Sequence, residues 1–130
     1  MERPAHVLLL VGAGAVLLAG CSSASRPEVE EVATTFEDPS ADPRVRCDLL
    51  APTTRVALEE EASAPCEEAI EELQLPGGEV TGVEIWGGDA QVRLDGDTVF
   101  LTETSAGWRV SAAACTERPE RPYDCEVEGS

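Results

Sequence analysis

Residues 90–101 read AQVRLDGDTVFL, two alternating runs around an Asp-Gly pair. In the first run Ala90, Val92 and Leu94 alternate with Gln91 and Arg93, the two-residue period of a half-buried strand. Asp95-Gly96 before Asp97 is a hairpin signal, since both residue types accept the backbone angles of a tight turn. The chain then returns as TVFLTET. Two strands joined by so short a turn are antiparallel neighbours, and the rest of the chain is read outward from them.

Upstream, EVTGVEIW (residues 79–86) alternates with Val83 and Ile85 on one face, and Gly82 invites a bulge or bend. GGD turns this run into the first strand of the hairpin. Downstream, SAG (residues 105–107) makes a turn into WRVSAAAC, with Trp108, Val110 and Ala112 expected on one face. Four strands in sequence give an antiparallel meander. Asp89, Asp95 and Asp97 do not have the spacing of a calcium loop and read as turn residues.

Before residue 75 the period is helical. Val29, Val32, Ala33 and Phe36 recur at helical spacing, with Glu28, Glu30, Glu31 and Glu37 around them. EDPSADP breaks that helix, and Asp42-Pro43 is an N-cap followed by a first-turn proline. The second helix carries Val45, Leu49 and Leu50, and Pro52 ends it. Thr53 or Thr54 is expected to cap a third helix, RVALEEE. In the fourth, CEEAIEEL, Cys66, Ile70 and Leu73 share the buried face, while Glu67, Glu68, Glu71 and Glu72 take the other. Helices followed by a meander are an α+β pattern, with the helices on one face of the sheet. The last fifteen residues, TERPERPYDCEVEGS, are proline-rich and acidic, an irregular tail tied down through Cys125.

The five cysteines divide into one and four. Cys47, Cys66, Cys115 and Cys125 allow three connectivities, of which the local pairing Cys47–Cys66 and Cys115–Cys125 is expected. The first links two helices, and the second ties the tail to the end of the last strand. Cys21 stands alone behind VLLLVGAGAVLLA (residues 7–19), an uncharged run preceded by Arg3 and His6. Thirteen helical residues rise about 20 Å, short of the roughly 30 Å hydrocarbon core, so the run reads as a secretory signal. LAGC (residues 18–21) resembles the lipobox of bacterial lipoproteins. That resemblance implies lipid on the Cys21 thiol and cleavage before it. It also places the protein on the extracytoplasmic face of the cell membrane, with the bilayer as partner. The expected layout is a signal peptide at 1–20, a lipidated tether at 21–27 and one domain at 28–130.

The chain has 26 Asp and Glu against nine Lys and Arg, a net charge of −17. Such a surface repels phosphates, which argues against nucleic acid as partner. Its single histidine, His6, falls within the signal, so the mature domain lacks the imidazole of Ser-His and Cys-His catalysis and of His-based zinc sites. No carboxylate stands out among so many as a catalytic group. The reading is therefore a non-enzyme with no catalytic residue, metal or cofactor. Trp86 and Trp108 form either an aromatic ligand platform or packing against the helices. Tyr123 is either presented for contact or a lid on the core.

Element order, together with CDLLAP, CEEAIEEL, AQVRLDGDTVFL and Trp108-Arg109-Val110, resembles the NTF2-like (cystatin-like) domain of actinobacterial lipoproteins of unknown function. The resemblance implies a cone-shaped fold in which helices pack on a curved antiparallel sheet, usually of five or six strands; four are read in this chain, a departure from the family. It implies a binding or accessory module, for a small ligand or a basic protein. The alternatives are a small enzyme using a carboxylate in the cone pocket and an interaction protein with an acidic face.

Overall fold

The computed structural model describes residues 21–120 and 122–129. The expected signal segment, residues 1–20, and the Cys21 side chain lie outside that part. Among the described residues four helices, α1 (Cys21–Glu37), α2 (Pro43–Asp48), α3 (Pro52–Ala62) and α4 (Cys66–Glu72), precede five strands. The strands are β1 (Val80–Trp86), β2 (Asp89–Leu94), β3 (Thr98–Thr104), β4 (Gly107–Glu117) and β5 (Tyr123–Glu128). They form one antiparallel sheet in the order β1-β2-β3-β4-β5, neither closed nor strongly curled. The expected four strands are thus corrected to five. The fifth strand is the segment expected to be an irregular tail. Two prolines and a charge run precede it, but Tyr123, Cys125 and Val127 carry the strand period.

The helical half follows its apolar spacing. Val29, Ala33 and Phe36 are fully buried, and α1 packs across β1 to β4. This helix takes in residues 21–27, expected as a polar tether. Asp42 caps α2, its side chain accepting from the Arg44 N–H at 2.8 Å, with Pro43 in the first turn. In α2 the faces are turned relative to expectation: Val45 is exposed while Arg46 is buried. The Arg46 Nε donates to the Phe36 carbonyl at 2.8 Å, and its guanidinium lies 5.8 Å from the Phe36 ring centroid. It thereby satisfies a carbonyl that the end of α1 leaves without a helical partner. Helix α3 starts at Pro52 rather than behind a threonine cap. Thr54 is buried and donates to the Ser111 carbonyl of β4 at 3.1 Å.

Both disulfides pair as expected. Cys47–Cys66 joins α2 to α4 with Cα atoms 6.1 Å apart. Cys115–Cys125 joins β4 to β5 at directly opposed positions, 4.0 Å between Cα atoms. Closing loops of 19 and 10 residues, they contribute about 3 kcal/mol each by the chain-entropy model. For a domain this small that is a large share of its stability.

Two irregularities in β4 decide which face each side chain takes. Phe100 pairs with Ala112 while Leu101 pairs with Val110, so Ser111 is an extra residue on β4. Trp108 and Val110 stay in the core, but Ala112 moves to the Phe100 side and Ala113 takes its place. Ahead of this bulge the chain at 49–51 pairs with β4: Ala51 N–H donates to the Val110 carbonyl and Val110 N–H to the Leu49 carbonyl, each at 2.8 Å. Beyond it β5 takes over as the neighbour. The second irregularity is Ala114, whose φ of 54° lies in the left-handed region. In β1 the register shifts between Val80 and Gly82, the bulge that the glycine suggested. The Asp95-Gly96 hairpin also forms, closed by Leu94 N–H to the Asp97 carbonyl at 2.8 Å. A Cβ on Gly96 would meet the Pro76 Cβ at 2.8 Å, so the 75–78 loop packs directly on this turn.

Candidate functional site on the open face of the sheet

The helix-facing side of the sheet is filled by Ala90, Val92, Leu94, Val99, Leu101, Trp108 and Val110 packing on Phe36 and Ile70. The other side is open. Register places Glu84, Gln91, Phe100, Ala112 and Glu128 opposite one another across all five strands. Above this row lies a cavity of about 580 Å³, lined chiefly by Trp86, Gln91, Phe100, Ser111, Tyr123 and Glu128. That volume falls within the range of small-molecule sites. Trp86 is half exposed at its rim, at 49%. Phe100 and Tyr123 meet edge to face, ring centroids 5.0 Å apart.

The polar groups of this cavity form a chain with a fixed direction. Tyr123 Oη lies 3.2 Å from Glu117 Oε1, on its direct cross-strand partner, and 3.0 Å from Gln91 Nε2. An ionised carboxylate only accepts, so the Tyr123 hydroxyl donates to Glu117 and accepts from the Gln91 amide. This leaves Gln91 Oε1, the second lone pair of the hydroxyl and the Glu128 carboxylate as acceptors, against the second Gln91 N–H and the Ser111 hydroxyl as donors. Glu128 and Cys125 also border a second cavity, of about 450 Å³, between α3, α4 and β5. Glu61, Glu72 and Glu126 surround that one.

A second constellation lies inside the packing. Glu37, expected on the solvated face of the first helix, is 1% exposed. It continues the four-residue row of Val29 and Ala33, and that spacing was its signal in the sequence. Its Oε2 accepts from the Gly77 N–H at 3.1 Å, while Oε1 has no donor. Asp97 of the β2–β3 hairpin stands beside it. Burial, then the hydrogen bond and the charge of Asp97, push the Glu37 carboxyl up to about 8, against the Gly77 N–H and the Arg46 charge. Glu37 is therefore a carboxylic acid at neutral pH, and its proton supplies the hydrogen bond to Asp97. Three backbone N–H groups also donate to the Asp97 carboxylate: Thr98 at 2.7 Å, Ala114 at 2.7 Å and Cys115 at 2.9 Å. The left-handed Ala114 turns two successive N–H groups onto that one carboxylate. The residue read as a turn former is thus the knot that ties α1, the hairpin and the β4 irregularity together.

Of the residues singled out in the sequence, Trp86 and Trp108 are separated. Trp86 borders the open cavity, and Trp108 is buried in the core. Tyr123 is a wall of the cavity, not a lid on the core. Cys47, Cys66, Cys115 and Cys125 form the two bonds described, and the thiol of Cys21 lies outside the described part. Neither Glu37 nor Asp97 lines the open cavity. Among the described residues no helix is long and apolar enough to cross a membrane, and no group of three His, Cys, Asp or Glu is placed to hold a metal ion. No protein-family model matches the chain, and neither does a curated protein or a solved structure.

Proposed function

We propose that the chain is a membrane-anchored extracytoplasmic lipoprotein whose domain is a non-catalytic binding or accessory module, with the open face of the sheet as its binding surface. The observation that carries this is the division of labour between the two faces. The helix-facing side is given over to packing, while the other side gathers rings and hydrogen-bond acceptors around a cavity. LAGC, with its lone cysteine behind a short apolar run, supports the anchor. Lipid on Cys21 holds the domain at the bilayer, and the net charge of −17 keeps it off anionic headgroups. The NTF2-like resemblance belongs to this proposal too, supported by helices gathered on one face of a meander. In this chain the ligand surface is then the side away from the helices.

The alternative, a small enzyme using a carboxylate, has the raised Glu37 in its favour. Against it stand the engagement of that carboxyl with Gly77 and Asp97 and its absence from the lining of the open cavity. A Cys21→Ala variant of the full chain, expressed in a bacterial host with lipoprotein processing, tests the anchor. The variant is expected in the soluble extracytoplasmic fraction or as unprocessed precursor. A processed, membrane-bound Cys21→Ala protein would overturn the reading.

A further inference from the structure

We propose that the open-face cavity takes a small organic cation, an alkylammonium or guanidinium compound, seated between the Trp86, Phe100 and Tyr123 rings and the Glu128 carboxylate. The inference rests on the reading of that face as a binding surface and adds the chemistry of the occupant. The first support is the direction of the hydrogen-bond chain. Because Glu117 can only accept, Tyr123 spends its proton on Glu117 and Gln91 spends an N–H on Tyr123. Against the second Gln91 N–H and the Ser111 hydroxyl, the cavity still offers an excess of acceptors in Gln91 Oε1, the Tyr123 lone pair and the two Glu128 oxygens, which suits a donor or a positive charge.

The second support is the ring content. Aromatic faces are negative and attract cations within about 6 Å of the centroid, tryptophan most strongly. A half-exposed Trp86 at the rim, next to an edge-to-face Phe100–Tyr123 pair, offers such a wall. The third support is charge. Glu128 is the charged residue among the described residues lining the cavity. Behind it Glu61, Glu72 and Glu126 ring the adjoining cavity, so the field over β5 is negative. Among the described residues Arg93 pairs with Glu84 at 2.9 Å, and Arg109 turns one N–H to the Trp108 carbonyl at 2.8 Å.

The test uses the full chain in a non-ionic detergent at low ionic strength, titrated with choline, with methylguanidinium and with dimethylbutanol, the uncharged isostere of choline. Isothermal titration calorimetry reads binding, so that Trp86→Ala is measured in the same way as wild type. At least one cation is expected to bind saturably and about tenfold more tightly than the isostere. Trp86→Ala and Glu128→Gln are each expected to weaken it at least about twofold, the lower end of an exposed cation–π contact. Isostere binding as tight as the cations would overturn the proposal while leaving the face a binding surface. Saturable cation binding that both variants leave unchanged would place the cation elsewhere and overturn it as well. Failure of all three probes would overturn the proposal and count against the binding reading itself.

Discussion

Replacing Glu37 with glutamine should make the protein more stable at neutral pH, although it removes a buried, hydrogen-bonded side chain. In the folded state the Glu37 carboxyl keeps its proton up to about 8, and in the unfolded chain it loses it near 4.5. A raised carboxyl favours folding fully below the unfolded value, and that contribution is lost as pH rises from 4.5 through 8. Within this window the loss is about 1.4 kcal/mol for each pH unit, so between pH 5 and pH 7 it reaches about 2–3 kcal/mol. That is a sizeable part of the 5–15 kcal/mol typical of a domain. Glutamine keeps both hydrogen bonds, with its amide N–H donating to Asp97 and its carbonyl oxygen accepting from Gly77. It has no proton to lose. Urea unfolding of wild type and Glu37→Gln, followed by Trp108 fluorescence at pH 5 and pH 7, reads the difference. The variant should gain on wild type by about 2–3 kcal/mol between the two pH values. A difference that is constant with pH, or that moves the other way, would refute a protonated Glu37. It would mean that Glu37 is ionised and paired with Arg46.

Asp97→Ala should cost about 3 kcal/mol, because it leaves three backbone N–H groups and the Glu37 proton without their acceptor; thermal unfolding checks this. Cys125→Ser should lose about 3 kcal/mol and loosen β5, which NMR would report as loss of the Phe100–Tyr123 ring contact with the helical core intact. Trp86→Ala should leave stability within about 0.5 kcal/mol of wild type, measured by the same urea titration, because its ring sits at the rim and outside the core.

Much of this architecture was legible because period carries it. The spacing of Val29, Ala33 and Phe36 and of Cys66 and Ile70 marks two helix faces, and the alternation at 90–94 and 98–101 marks the central hairpin. Both disulfides followed from locality: Cys47 and Cys66 lie in the helical half with Cys66 on a buried face, and the tail after Cys115 can loop back to bring Cys125 to it. What escaped depends on irregularity. The fifth strand hid behind Pro119 and Pro122, though Tyr123, Cys125 and Val127 alternate. With it went the wall of the candidate site, since Tyr123 reaches Gln91 and Phe100 only from a paired strand. Ala112 was placed on the wrong face because an extra residue in β4 leaves no mark on composition. Glu37 and Asp97 were read as surface and turn because a carboxyl is assumed charged, and burial in a pair keeps Glu37 neutral.

The anchor is the premise on which the setting of the whole domain depends, and the mass of the N-terminal peptide of the membrane-extracted protein tests it most directly. The account predicts a peptide beginning at Cys21 and carrying a diacylglyceryl thioether. A peptide beginning at another residue, or one in which the Cys21 thiol is unmodified, would contradict it.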